Sequence, residues 1–149
     1  MRIHRLKHLM LVALMLGLSH SAWAGTGGDP AVIAEHCVNR ITNIAQTCVH
    51  RNQATAEICV TRMEALIDAG HPGQAQHLAI HCIAKVVHRS THCIAAINHR
   101  TVACVHVLLS LGAPGLAELV TEVADEARDA VRLSRAAAID AIQAAAPGT

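Results

Sequence analysis

Six cysteines in two evenly stepped series constrain this chain more than any other feature. Cys37, Cys48 and Cys59 form one series and Cys82, Cys93 and Cys104 the other, each advancing by eleven residues. Eleven residues make three turns at 3.67 per turn, close to the 3.6 of an α-helix, so every cysteine of a series returns to nearly the same helix face. The neighbours repeat with the cysteines. The first series opens its blocks with CVNR, CVHR and CVTR. Apolar residues one, four and seven positions after Cys37 (Val38, Ile41, Ile44) recur after Cys59 as Val60, Met63 and Leu66. The second series repeats the first two of these offsets as Ile83 and Val86, Ile94 and Ile97, and Val105 and Leu108. Such offsets form a helical stripe.

Asp29-Pro30 predicts a helix start, with an N-cap carboxylate and a proline in the first turn. Gly70-His71-Pro72-Gly73 predicts its end and a tight turn. A second helix follows from about Gln74 to Leu111, before Gly112-Ala113-Pro114-Gly115 breaks the chain again. Two long helices joined by so short a turn form an antiparallel hairpin. Residues facing each other across a hairpin have position numbers with a constant sum. Cys37 with Cys104, Cys48 with Cys93 and Cys59 with Cys82 all sum to 141, and half of that falls between Gly70 and His71, inside the turn. Successive cysteines of one helix lie roughly 16 Å apart, whereas a disulfide needs Cα atoms within about 7 Å, which excludes bonds within a helix. The expected pairing is therefore the nested set Cys37–Cys104, Cys48–Cys93 and Cys59–Cys82. Ala45, Ala56, Ala79, Ala84 and Ala96 are small neighbours that let the two helices approach.

Disulfides require an oxidising compartment. The N-terminus agrees: Arg2, Arg5 and Lys7 precede an apolar run from Leu9 to Leu18, then Ala22 and Ala24 flank Trp23. This is the layout of a secretory signal peptide cleaved after Ala24, and its apolar run falls short of the roughly 20 residues that span a bilayer. The expected localisation is exported, periplasmic or secreted, with no stable membrane insertion once the signal is removed. The whole chain has 12 Lys and Arg against 11 Asp and Glu; without Arg2, Arg5 and Lys7 it has nine against eleven, a net charge near −2. That balance excludes nucleic acid as the main partner. Trp23 is the sole aromatic residue and leaves with the signal, so the core is built from aliphatic residues and covalent staples compensate for its thinness.

From Leu116 to Ala146 the chain has no Cys, His or Pro, and Leu116, Leu119, Val120, Val123, Ala127, Val131 and Ile142 share a face. This predicts an amphipathic third helix packed on the hairpin. Its acidic residues Glu118, Glu122, Asp125, Glu126 and Asp129 are expected to face basic rows of the hairpin. The fold class is all-α: a long antiparallel hairpin on an eleven-residue cysteine repeat, stapled by three nested disulfides, plus the C-terminal helix, together an elongated three-helix bundle. Its divisions are a signal peptide at 1–24, a leader at 25–30, the hairpin at 31–112 with its turn at 70–73, a linker at 113–115, and the C-terminal helix and tail at 116–149.

Five histidines keep the same period: His77, His88 and His99 in one register and His81 and His92 in another. His77 with His81 and His88 with His92 are i,i+4 pairs on one face, each able to offer two imidazoles to Cu, Zn or Ni. Reduced cysteine pairs facing each other at each level would suit Cu(I). Arg40, Arg51 and Arg62, and separately Arg89 and Arg100, form rows that read as solvated charged faces. No Cys-x-x-Cys, glycine-rich phosphate loop or haem-attachment motif is present, and Ser90, Ser110 and Ser134 all lie in helical stretches. The sequence therefore points to a non-enzymatic exported protein without a cofactor, a structural, binding or envelope-stress module with a protein partner. The alternative is a periplasmic metal-binding protein.

Overall fold

A computed structural model of the chain describes residues 28–148, so the signal-peptide reading of residues 1–24 lies outside the described residues. The described chain is three helices: α1 Pro30–Asp68, α2 Pro72–Ser110 and α3 Pro114–Ala145. Each packs against both others. At 1.5 Å per residue the 39-residue helices α1 and α2 make a rod roughly 58 Å long.

The sequence explains where each helix stops and starts. The Asp29 carboxylate accepts a hydrogen bond from the Ala31 amide at 2.9 Å, satisfying one amide of the first turn of α1. Gly70 ends α1 at φ 78° and Gly112 ends α2 at φ 70°, a backbone that residues with a Cβ seldom adopt. At each end the amide beyond the glycine reaches back into the last turn: His71 donates to Leu66 O at 2.8 Å and Ala113 to Leu108 O at 3.0 Å. Pro72 and Pro114 then occupy the first helical position, where a missing N–H costs nothing. Both helices thus begin two residues earlier than the sequence reading placed them.

The buried residues of α1 are Ala34, Cys37, Ile41, Ala45, Cys48, Asn52, Ala56, Cys59 and Met63, spaced three, four and four residues apart throughout. Those of α2 keep the same cycle, from Ala75 through Cys82 and Val86 to Cys104 and Leu108. An eleven-residue cycle keeps the core row nearly parallel to the helix axis, so the rungs stay in line from end to end. The apolar stripe differs in one respect from the expected one. Offset four from each cysteine is buried, but offsets one and seven (Val38, Ile44, Val60, Leu66) are only half-buried, while the alanines Ala45 and Ala56 are buried. Ala79 is buried too, while Ala84 and Ala96 are exposed.

α3 runs back along the hairpin from its open end to the turn. Ala117, Val120, Val123, Ala124, Ala127 and Val131 close an apolar cluster around Cys37, Ile41, Ile97 and Leu108. Ala138 and Ile142 close a second around Cys59, Met63, Cys82 and Val86. Between the two clusters lies a polar layer: Asn52, fully buried, donates from Nδ2 to Ser90 Oγ at 3.0 Å, and its Oδ1 accepts no hydrogen bond. Nearby, Ser134 Oγ donates to Val49 O at 3.4 Å.

Candidate functional site

The hairpin carries the chemistry-bearing residues in three places: the seam, the outward face of α2, and the flank of the seam that α3 leaves open. At the seam the three disulfides join α1 to α2 with the expected nested pairing. Cα–Cα distances are 6.1 Å for Cys37–Cys104, 6.3 Å for Cys48–Cys93 and 6.4 Å for Cys59–Cys82. All six cysteines are consumed, so none offers a thiolate to copper or to a substrate. Five of the six are buried, and Cys93 is half-buried. Three disulfides within one chain belong to an oxidising environment.

His77, His81, His88, His92 and His99 all lie on α2, and all are exposed. The buried row of α2 faces α1 and α3, which turns this histidine row toward solvent. His88 and His92 stand with ring centroids 4.5 Å apart, edge to face. No group of three His, Cys, Asp or Glu converges among the described residues, so the pairs expected from sequence stay pairs. α2 is the one described helix long and apolar enough, by length and composition, to cross a membrane, with a mean hydropathy of 1.3 in its most apolar window. The imidazole row interrupts that apolar character along the outward face.

The third place was not singled out from the sequence. Arg40 and Arg51 of α1 and Arg89 and Arg100 of α2 line one open groove of about 630 Å³ beside the Cys48–Cys93 bridge, together with the apolar Ile44 and Ala96 and the polar Asn43, Thr47 and His92. All of the groove's lining comes from α1 and α2. Arg40 with Arg100, Ile44 with Ala96, and Arg51 with Arg89 each have position numbers that sum to 140, one less than the cysteines. They are therefore facing pairs on one flank of the seam, an arginine pair at either end and an apolar pair between. The Arg89 guanidinium is the anchored one, donating to Arg51 O and Thr55 Oγ1, both at 2.7 Å. Numbering alone carried this signal, since the two arginine rows share a sum as the cysteines do.

No ion pair among the described residues engages these four guanidiniums. Residues 36–56 of α1 and the whole of α2 contain no Asp or Glu. The acidic residues of α3 do not reach the hairpin's basic rows as expected. Among the described residues the ion pairs are Arg128 with Asp125 and Arg132 with Asp129, both internal to α3. Arg128 also reaches α2, donating to Asn98 Oδ1 at 2.8 Å. The reason is geometric: burying the apolar stripe of α3 turns its acidic residues outward to solvent, where Glu118, Glu122, Asp125, Glu126 and Asp129 are all exposed. No family model, curated protein or solved structure matches the chain.

Proposed function

We propose that this chain is an exported, non-enzymatic module of the periplasm or the secreted fraction, a structural, binding or envelope-stress protein that acts by presenting a rigid helical surface to a protein partner. The observation that carries this reading is the ladder of three interhelical disulfides spaced along the whole hairpin. A stapled rod loses little conformational entropy on binding, which suits a surface that must keep its shape outside the cell's reducing interior. Membrane insertion of α2 would require α1, tied to it at three levels and carrying Arg40, Arg51 and Arg62, to follow, and charged residues make that costly. The test is cell fractionation with intact-mass measurement. The reading expects an oxidised chain beginning at Gly25 in the exported fraction; a full-length chain with alkylatable thiols in the cytoplasm would overturn it.

A second reading, binding of Cu, Zn or Ni, rests on the His88–His92 ring contact. Two imidazoles at i,i+4 would hold a metal only with ligands from water or a partner. Zinc titration calorimetry of the oxidised protein beside its His88→Ala variant tests it, and identical weak heats in both would end it.

A further inference from the structure

The groove between α1 and α2 deepens the binding reading above, on which this inference rests, by stating what kind of partner fits. We infer that the flank of the hairpin left open by α3 is the seat of an acidic amphipathic helix from a protein partner, whose carboxylates sit between the arginine pairs and whose apolar residues cover Ile44 and Ala96. The arrangement alternates along the rod. Arg40 faces Arg100, Ile44 faces Ala96, Arg51 faces Arg89, and by the same register Thr55 faces Lys85. The same flank carries two large apolar side chains in the open, Ile58 at 56% exposure and Val107 at 41%. A flat anionic surface would meet the arginines but leave Ile44, Ala96 and the exposed Ile58 and Val107 without apolar contacts. A linear inorganic polyanion would likewise gain nothing from Ile44, Ile58 or Val107. A helix with acidic and apolar residues interleaved satisfies both, and helix-in-groove docking is a standard mode of recognition between proteins.

Charge and period select the occupant. Four guanidiniums with no carboxylate on the facing stretches repel one another, and the bridges prevent the hairpin from opening to relieve this. A carboxylate between two guanidiniums makes charge-assisted hydrogen bonds with both. The arginine pairs stand eleven residues, about 16 Å, apart along the helices. A partner helix lying along the groove meets both pairs with acidic residues eleven apart; the position four after the first falls at the level of the Ile44–Ala96 pair, and the position seven after it at the level of Thr47 and Cys93. The helix would occupy the fourth position of a bundle in which α1, α2 and α3 hold the other three.

The experiment is calorimetric titration of the intact, oxidised protein with two synthetic helical peptides of identical composition. One carries glutamates eleven residues apart with leucines at the intermediate positions described. In the other the glutamates are nine apart, which places the second on the opposite side of the helix. The matched peptide is expected to bind at least about tenfold more tightly than the control, and to lose about tenfold or more in Arg40→Gln/Arg100→Gln. Arg40 and Arg100 are exposed and form no ion pair among the described residues, so this variant keeps the fold, as an unchanged helical spectrum and intact-mass value will show. Equal affinity for the two peptides, no effect of the double substitution, or tighter binding of long-chain polyphosphate than of the matched peptide would each overturn the inference. Absence of any binding would overturn it as well, while leaving the exported, oxidised chain to its own fractionation test.

Discussion

Replacing Cys37 and Cys104 by alanine removes the rung farthest from the turn. Its 67-residue separation is the largest of the three, and a lone loop of that length is worth about 4.4 kcal/mol in the chain-entropy relation. The ladder changes that figure. With Cys48–Cys93 intact, the outer bridge closes only eleven residues of α1 and eleven of α2, a ring whose closure is worth about 3.4 kcal/mol. The innermost bridge closes a 23-residue loop, so the same value applies to it on its own. Both outer cysteines are buried, and truncating them leaves small voids that add about 1 kcal/mol. The double alanine variant should therefore lose about 4 to 5 kcal/mol, read from guanidinium unfolding followed by circular dichroism, since the described chain has no aromatic residue to report by fluorescence. Three rungs together supply about 10 kcal/mol, as much as the whole stability of a typical domain, so the fully reduced protein should lose cooperative unfolding at ambient temperature. A loss below about 1 kcal/mol in the double variant, or cooperative unfolding of the reduced protein at nearly unchanged denaturant concentration, would refute the reasoning.

Asn52→Val combined with Ser90→Ala removes a buried amide whose oxygen accepts no hydrogen bond, and should leave stability unchanged or raise it by about 1 kcal/mol, whereas Asn52→Val alone should be less favourable than the pair; a double-mutant cycle in denaturant measures the coupling. Gly70→Ala forces a Cβ into a φ of 78° and should cost about 1 kcal/mol, while Gly73→Ala, in the first turn of α2 with nothing within contact distance, should be neutral or gain up to about 1 kcal/mol in the same assay. Ile142→Ala, fully buried in the turn-end cluster, should cost about 2 to 5 kcal/mol and speed hydrogen exchange at the C-terminal end of α3.

The seam was legible in the sequence because two independent signals share one centre: the cysteine sums and the Gly-x-Pro-Gly turn both place the fold at residues 70 and 71. The C-terminal ends of α1 and α2 were legible because each rests on a single glycine, Gly70 or Gly112, whereas α2 and α3 begin two residues earlier than expected, on Pro72 and Pro114. Less visible was which of several apolar positions each helix buries. Ala45 and Ala56 are buried while Val38, Ile44 and Val60 are half-buried, because α1 packs against α2 and α3 at once and that sets which arc is covered; hydrophobicity alone ranks these residues the other way. Asn52 escaped notice because it occupies, in the middle block, the position that Ile41 and Met63 hold in the outer two; its burial depends on Ser90, 38 residues away. The acidic residues of α3 were legible as a charged face, but their orientation follows from which stripe packs, and that stripe turns them outward. The arginine groove needed the register across the hairpin, which converts two separate rows into facing pairs.

The central claim is the ladder itself, and disulfide mapping of the exported protein tests it most directly. Proteolysis without reduction, with thiols blocked beforehand, followed by mass spectrometry of the linked peptides, is expected to yield Cys37 joined to Cys104, Cys48 to Cys93 and Cys59 to Cys82, and no blocked cysteine. Any other pairing, an intermolecular bridge, or a blocked cysteine in the native protein would contradict the account.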